Sequence, residues 1–282
     1  MTQELFELEW LGGVAEHHYR RARPGLDDLP WGTLRPEHYP PALLEGARRS
    51  WTEVAINEYR AVIAFSHVVR ALAEAKAPLD LLGMAAEFVL DEVTHVELAS
   101  RMCMELGGAT PITADMQHLV SYPPGERTAP EWANELVLRV SCVAEVYAGK
   151  TSVEAMKACT HPLAKAVHTR ILQDESRHLR LGELYFDWCA DQLSDTERTR
   201  LGGVLAESVL GHERYLKHRI SRVTDGLTEE GYKVSDIHEL GWLESARFVP
   251  LAKRVMRDEV LAPLAKRGIV AHDPRVAALV AG

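Results

Sequence analysis

Apolar residues recur at helical spacing through most of the chain, and this pattern predicts an all-α protein. From residue 41 onward, long stretches rich in Ala, Leu, Glu and Arg are interrupted by Pro or Gly at only a few points. No segment shows a competing strand pattern, so we expect no strands. The predicted helices cover residues 42–75, 79–106, 128–159, 163–193, 194–223 and 243–267.

The domain organisation follows from where this pattern begins and ends. Residues 1–41 contain turn-forming Pro and Gly and are predicted to form an N-terminal arm laid over the main body, with one short helix. Residues 42–193 are predicted to form a four-helix bundle, in which a long crossover, residues 107–129, joins the second and third helices. Residues 194–282 are predicted to form a C-terminal helical extension packed on the bundle.

Two segments with the pattern Asp-Glu-x-x-His carry the candidate chemistry. They are Asp91–His95 and Asp174–His178, and Glu-x-x-His occurs nowhere else in the chain. On a helix, residues i and i+3 lie on one face, so the Glu and the His of each segment can bind one metal ion together. A dinuclear site in a bundle then needs one more Glu from each of two partner helices.

The geometry of a helical hairpin selects those two partner residues. Two residues of an antiparallel hairpin lie at the same level when the turn falls midway between them. Glu58 and Glu92 have their midpoint at position 75, and Glu145 and Glu175 have theirs at position 160, each beside a predicted turn. The predicted metal ligands are therefore Glu58, Glu92, His95, Glu145, Glu175 and His178.

Four carboxylates and two imidazoles form a hard, oxygen-rich set, which suits iron or manganese better than structural zinc. Asp91 and Asp174 are predicted to accept the outer ring N–H of the ligating His on the opposite helix and to fix its tautomer. The alternative for both is a solvated charge on the helix surface. Glu97 and Glu183 lie off the metal-facing side and are predicted to be solvated.

With these residues in place, the chain resembles the ferritin-like superfamily of di-iron carboxylate proteins over residues 42–193. The second motif, Asp174–His178, is similar to the D/E-E-x-R-H form of bacterial multicomponent monooxygenases and acyl-carrier-protein desaturases. The resemblance implies two irons bridged by Glu92 and Glu175, with one imidazole on each iron. It implies terminal carboxylate ligands at Glu58 and Glu145.

Three positions depart from particular relatives within this superfamily. Ala99 stands where the small subunit of class I ribonucleotide reductase usually has its radical Tyr, and Ile171 stands where aryl-amine N-oxygenases carry an additional His. Gly149 replaces a Thr that hydroxylases often have, and we expect it to leave room beside the metals. The predicted lining of a pocket for substrate or dioxygen is Ala61, Val62, Cys142 and Gly149.

The function expected from this resemblance is that of a non-haem di-iron oxidase or oxygenase, with dioxygen as co-substrate and a small organic molecule as substrate. Hydroxylation, N-oxygenation, desaturation and aldehyde deformylation all fit this class. Two iron ions are the expected cofactor, with manganese as the alternative, and an external electron donor is expected. Iron handling by a ferroxidase, peroxide disproportionation by a dimanganese centre, and a purely structural metal site are the other hypotheses.

The composition limits the expected binding partners and the expected cellular location of the protein. The formal net charge of −9 argues against a nucleic acid or an anionic membrane as a partner. The chain has no apolar stretch of about 18 residues, so no membrane span is expected, and its acidic start predicts no secretory signal. Four widely spaced Cys provide no disulfide framework, which favours a cytoplasmic location. The additions outside the bundle are expected to shape a substrate pocket or an oligomer surface, such as that of a homodimer.

Overall fold

A computed structural model describes residues 3–281, and most of its regular structure is helical, in agreement with the predicted all-α class. Two π-helical segments, Leu138–Ala144 and Met256–Leu261, each continue one α-helix into the next. The α-helices are α1 (Gly13–Ala22), α2 (Pro41–Glu74), α3 (Leu79–Glu105), α4 (Ala129–Val137), α5 (Glu145–Ala158), α6 (Pro162–Trp188), α7 (Asp195–Gly211), α8 (Glu213–Leu216), α9 (Val234–Glu239), α10 (Ser245–Val255), α11 (Ala262–Lys266) and α12 (Pro274–Val280).

Local sequence signals set the ends of the long helices. The Thr128 side chain accepts a hydrogen bond from the backbone N–H of Glu131, and the Glu131 carboxylate accepts one from the N–H of Thr128. This reciprocal pair is a capping box that satisfies N–H groups left free at the start of α4. At the end of α2, Lys76 has a φ of 55° and turns the chain into Pro78, which precedes α3. The predicted boundaries of the first two helices therefore agree with the structure to within one residue.

Four long helical stretches position the candidate site: α2, α3, α4 with α5, and α6. α2 packs on α3 and α5 packs on α6, while α3 also contacts α6 and α2 contacts α4. A continuous hydrophobic core runs between them, with fully buried Phe65, Phe88, Leu136 and Phe186. Buried residues of α7, α10 and α12 belong to the same core, so the C-terminal helices pack against the long ones.

The fifth predicted helix is shorter than expected. It was predicted to reach residue 223, but α7 ends at Gly211, where the imidazole Nδ1 of His212 lies 2.9 Å from the carbonyl oxygen of Ser208. A side chain that binds one of the last free carbonyls of a helix competes with its continuation. The short helix α8 follows, and the predicted single long helix is wrong from residue 212 onward.

The expectation of no strands is also wrong in detail, because four two-residue strands occur. β1 (Glu4–Leu5) pairs antiparallel with β2 (Thr113–Ala114) and ties the arm to the crossover. β3 (Val223–Thr224) pairs with β4 (Leu227–Thr228) across Asp225-Gly226, both at positive φ. Asp-Gly is a strong signal for such a two-residue hairpin turn, which helical periodicity does not detect.

The C-terminal region contains more helices than predicted. The segment predicted as one helix over residues 243–267 consists of α10, a π-helical segment and α11. α9 and α12 were not predicted. α12 begins after Asp273, whose side chain accepts a hydrogen bond from the backbone N–H of Arg275. Within residues 3–281, no helix combines the length and the apolarity needed to cross a bilayer.

Candidate metal centre

The six predicted ligand residues converge between the four long helical stretches. α2 contributes Glu58, α3 contributes Glu92 and His95, α5 begins with Glu145, and α6 contributes the other two. Their ligand atoms form two groups, each with all its atoms within 4.8 Å of one another. One group is Glu58, Glu92, His95 and Glu175, and the other is Glu92, Glu145, Glu175 and His178.

The two groups overlap at Glu92 and Glu175, which belong to both. Each group therefore has one imidazole, one carboxylate of its own and two shared carboxylates. Carboxylates have two oxygens, so a shared carboxylate can offer one oxygen to each of two neighbouring cations. This arrangement is compatible with a pair of metal ions rather than with a single one.

His95 directs its Nδ1 atom toward one group. This atom lies 3.5 Å from an oxygen of Glu92, 3.5 Å from an oxygen of Glu175 and 3.8 Å from an oxygen of Glu58. The His95 side chain is fully buried, whereas that of Glu58 keeps 22% of its surface exposed. Glu58 is thus the one predicted ligand on the solvent-accessible side of the cluster.

His178 is oriented in the same way toward the other group. Its Nδ1 atom lies 3.0 Å from Oε1 of Glu92, 3.2 Å from Oε2 of Glu145 and 3.7 Å from Oε2 of Glu175. The two imidazole ring centroids are 5.9 Å apart. Both rings therefore present Nδ1 to the shared carboxylates and leave Nε2 facing outward.

Burial and mutual repulsion perturb the acidity of the four carboxyl groups. Burial, reinforced by the neighbouring Glu92 carboxylate, raises the pKa of Glu58 well above its usual value. Burial, reinforced by Glu145, does the same to the pKa of Glu175, and burial also raises the pKa of Glu145. Three buried carboxyl groups and the partly exposed one of Glu58, at these distances from one another, resist full ionisation unless cations compensate them.

The shared carboxylate of Glu92 behaves differently. Burial opposes its ionisation, but the two imidazoles on either side lower its pKa to about 2. Burial likewise opposes protonation of His95, yet the Glu92 carboxylate raises the pKa of His95 well above its usual value. Glu92 therefore ionises more readily than the other carboxyl groups of the cluster. Its negative charge lies between the two imidazoles, where it would attract two cations.

Unpartnered polar atoms test whether these residues fit a metal pair. Both carboxylate oxygens of Glu92, Oε2 of Glu175 and both ring nitrogens of His95 are buried without a hydrogen-bond partner. Within residues 3–281, no Lys or Arg forms an ion pair with any of the four Glu. Buried polar atoms without partners are costly, and two cations would satisfy all of these atoms except Nε2 of His95, which faces Asp174. The donor set therefore fits two metal ions.

Glu135 is another buried carboxylate of this chain, and its partners can be compared with those of Glu92. Its side chain is as buried as that of Glu92, with 1% of its surface exposed. It receives hydrogen bonds from the guanidinium groups of Arg127, Arg139 and Arg200 at 2.6 to 3.2 Å. The fold can supply three cationic side chains to a buried carboxylate, and at the candidate centre it supplies none.

Asp91 and Asp174 lie behind the two imidazoles. Oδ2 of Asp91 is 3.3 Å from Nε2 of His178, and Oδ2 of Asp174 is 3.5 Å from Nε2 of His95. Each Asp therefore faces the His of the opposite helix, which is the predicted pairing. Both Asp are buried, so the alternative of solvated helix charges is excluded. A carboxylate in this position orients the ring and raises its basicity.

The outer carboxylates are themselves held by Arg residues. The guanidinium of Arg177 donates to Oδ2 of Asp91 at 3.2 Å and to Oδ1 of Asp174 at 3.1 Å. Arg170 also donates to Asp174. Burial works against the charge of Asp174, but His95 and Arg170 lower the pKa of this carboxyl group. Arg177 lies within the second motif, so the sequence contained a signal for its role.

The predicted pocket requires a correction. A Cβ atom on Gly149 would lie 3.2 Å from the Leu179 side chain, so this glycine permits close packing of α5 on α6 and leaves no open space. Cys142 does line a cavity of about 450 Å³, bounded by the π-helical segment Leu138–Ala144, α6 and the segment around α11. Ala61 and Val62 are half-buried on α2 and do not line it.

The prediction for Glu97 is wrong, whereas that for Glu183 is confirmed. Glu97 is buried with 6% of its surface exposed, because the N-terminal arm covers it and Arg20 and Arg101 pair with its carboxylate. The side chain of Glu183 is 52% exposed. Helical periodicity describes only contacts among the long helices, so it could not place the arm over Glu97.

Comparison with protein-family models, with curated proteins and with solved structures gives no significant match to this chain.

Proposed function

We propose that the protein is a non-haem di-iron oxidase or oxygenase of the ferritin-like type, which uses dioxygen to oxidise a small organic substrate. The observation that carries this proposal is the pair of overlapping ligand groups that share Glu92 and Glu175. In di-iron carboxylate bundles, a Glu from each of two helices joins a Glu-x-x-His pair from each of the other two. The cluster has this composition and this distribution over its helices.

The two overlapping groups support a distinct role for each proposed ligand. Glu58 and His95 would bind one ion, Glu145 and His178 would bind the other, and both shared Glu would bridge them. Oxygen-rich sets with one imidazole per metal favour iron or manganese, whereas structural zinc prefers four N or S ligands. Four carboxylates also balance the charge of two divalent ions, which suits a buried site.

Protein side chains around the ligands orient them and exclude water. When bound, the two irons would supply the redox chemistry that reduces dioxygen and oxidises the substrate. The ring of Phe88 lies 4.0 Å from the ring of His178 between centroids, and Phe65 packs against the same imidazole at 5.4 Å. These rings restrict the rotation of His178 and keep solvent from that side. The partly exposed Glu58 leaves the opposite side accessible to small molecules.

The cavity beside α5 and α6 favours an organic substrate over iron storage. Its volume of about 450 Å³ lies within the range of small-molecule sites. Val146, Leu179 and Phe186 form its apolar part, and charged side chains complete its lining: Lys150, Arg180, Glu183, Glu259 and Arg267. Val146 and Leu179 directly follow the ligands Glu145 and His178 in the sequence.

The walls of this cavity carry two further features typical of functional sites. Two π-helical segments line the cavity, Leu138–Ala144 on one side and Met256–Leu261 on the other. Such segments occur often at functional sites. The hydroxyl of Ser141, which lines the cavity, is fully buried and has no hydrogen-bond partner. A buried hydroxyl group without a partner is costly in a folded protein, and such groups are often found at functional sites.

Anaerobic loading with Fe(II), followed by exposure to dioxygen, tests the proposal. We expect two irons per chain, consumption of dioxygen that stops when these irons are oxidised, and further consumption once an external reductant is added. The variant Glu175→Gln should lose this activity, while Glu45→Gln, at an exposed carboxylate of α2, should keep it. Uptake of many irons per chain would instead support a storage function. Peroxide disproportionation by the manganese-loaded protein would support the catalase-like alternative.

A further inference from the structure

A segment of the N-terminal arm, residues 19–32, lies along one face of α3, and we call it the N-terminal clasp. Its polar contacts on α3 fall at positions 91, 94, 97, 101 and 105. Spacings of three and four residues place all these positions on a single helix face. The clasp therefore covers the face of α3 that carries Asp91 from the first motif.

Arg23, at the end of α1, reaches Asp91 directly. Its guanidinium Nη2 lies 2.5 Å from Oδ1 of Asp91, and the two side chains are 13% and 0% exposed. The other oxygen of the same carboxylate, Oδ2, lies 3.3 Å from Nε2 of His178. One Asp91 oxygen thus faces the clasp while the other faces the imidazole. A charge-assisted hydrogen bond to one oxygen fixes the plane in which the other is presented.

We propose that Arg23 is a positioning residue of the metal centre, which acts through Asp91 on His178. Arg23 holds the carboxylate so that Oδ2 accepts the Nε2–H of His178, and this interaction keeps Nδ1 directed at Glu92 and Glu145. The inference depends on the proposed function, because it assumes that the cluster binds metal. Loss of an outer partner of a metal-binding His typically costs about 10- to 100-fold in metal affinity.

Arg20 provides a matched control on the same clasp. It pairs with Glu97 at 2.5 Å, the same distance as between Arg23 and Asp91, and the Glu97 side chain is 4% exposed. Among residues 3–281, the ion-pair partners of Glu97 are Arg20 and Arg101, and neither imidazole is among them. The two clasp Arg thus form similar ion pairs, but only the acceptor of Arg23 contacts a predicted ligand.

The effect of Arg23 should be confined to one of the two metal positions. Asp174, which faces His95, is held by Arg170 and Arg177, and neither belongs to the clasp. Removal of Arg23 therefore leaves both Arg partners of Asp174 in place, and Arg177 still donates to Asp91 as well. A variant that merely loosened the arm would show no such preference for the position with His178.

Anaerobic titration of the full-length metal-free protein with Co(II), followed by visible absorption spectra, tests this inference. Wild type should bind two Co(II) ions per chain. Arg23→Gln should weaken one of the two about 10- to 100-fold and alter the spectrum of that ion, while the second keeps its affinity. Arg23→Lys retains the charge and should restore part of the lost affinity. Arg20→Gln should leave both affinities and the spectrum unchanged.

The outcomes separate this inference from the proposed function. A wild-type protein that binds no Co(II) contradicts both. A wild-type protein that binds two ions, together with Arg23→Gln affinities and spectra equal to those of Arg20→Gln, overturns only the role of Arg23. Equal weakening of both ions in both variants would also overturn it, because the clasp would then act by general stabilisation. If Arg23→Gln does not fold, the comparison of Arg23→Lys with Arg20→Lys decides in the same way.

Discussion

Oε1 of Glu92 lies 3.0 Å from Nδ1 of His178, although the two residues belong to different motifs on different helices. The other oxygen of the same carboxylate lies 3.5 Å from Nδ1 of His95, its neighbour on α3. Glu92 thus spans both imidazoles with its two oxygens. A side chain in this position belongs equally to both candidate metal positions, so a change to it should affect both.

Removal of a shared carboxylate should affect both metal positions, whereas removal of an unshared one should affect only one. We expect Glu92→Gln to lower the affinity for both Fe(II) equivalents, because an amide is a weaker ligand at both positions and leaves the pair of ions one negative charge short. Glu58→Gln should lower the affinity for one equivalent only. Anaerobic Fe(II) titration with metal analysis distinguishes the two variants. Loss of both equivalents in Glu58→Gln would contradict the assignment of Glu58 to a single ion.

The metal-free protein should lose stability as the pH rises above neutrality. The carboxyl groups of Glu58 and Glu175 and the imidazole of His95 all have folded-state pKa values well above their usual values. Above the unfolded pKa, which is about 4.5 for the two Glu and about 6.5 for His95, these groups bind more protons in the folded state than in the unfolded state, so the free energy of unfolding falls as the pH rises. The stabilisation they provide is present below the unfolded pKa and is lost as the pH passes through the folded pKa.

Denaturant unfolding of the metal-free protein at neutral pH and at a mildly alkaline pH measures the effect. His168 and His212, whose pKa values are lowered by burial, act in the opposite direction, but only at lower pH, where the unfolded imidazoles gain protons. Glu175→Gln should flatten the dependence, because it removes one of the perturbed groups. Equal stability of the wild-type protein at both pH values would show that folding does not raise the pKa values of these groups.

Gly182 allows α6 to approach the π-helical segment closely. A Cβ at this position would lie 2.4 Å from Sγ of Cys142, a distance that side chains do not adopt. We expect Gly182→Ala to destabilise the protein by about 1–3 kcal/mol, as overpacking typically does. The double variant with Cys142→Ala should recover most of this loss, because the sulfur atom is removed. Thermal and denaturant unfolding measure the stability of the single and double variants. If the losses of the two single variants simply added in the double variant, the contact between position 182 and Sγ of Cys142 would not be the cause of the destabilisation.

The ligand cluster was predictable because it depends on local periodicity. The spacing within each Asp-Glu-x-x-His segment and the midpoints of two hairpins require only regular helices between the residues concerned. The π-helical segment Leu138–Ala144 was not predicted, but it ends just before Glu145. The regular helix from Glu145 to the turn therefore kept its length, and the predicted level of Glu145 beside Glu175 was unaffected.

The rest of the site depends on contacts that sequence spacing does not encode. Arg23 and Asp91 are 68 positions apart, and the hydrogen bond between them exists only because α1 lies on α3. The burial of Glu97 has the same origin. Gly149 was expected to open space, but whether a neighbouring helix fills that space depends on the side chain opposite, here Leu179. Packing between distant segments decides these features.

Anomalous diffraction at the iron edge, from crystals of the protein loaded anaerobically with Fe(II), tests the central claim most directly. The account predicts two peaks about 3.5–4 Å apart. One should lie between Glu58 and His95 and the other between Glu145 and His178, with the Glu92 and Glu175 carboxylates reaching both. A single peak, or peaks away from these six residues, would contradict the proposed two-metal centre.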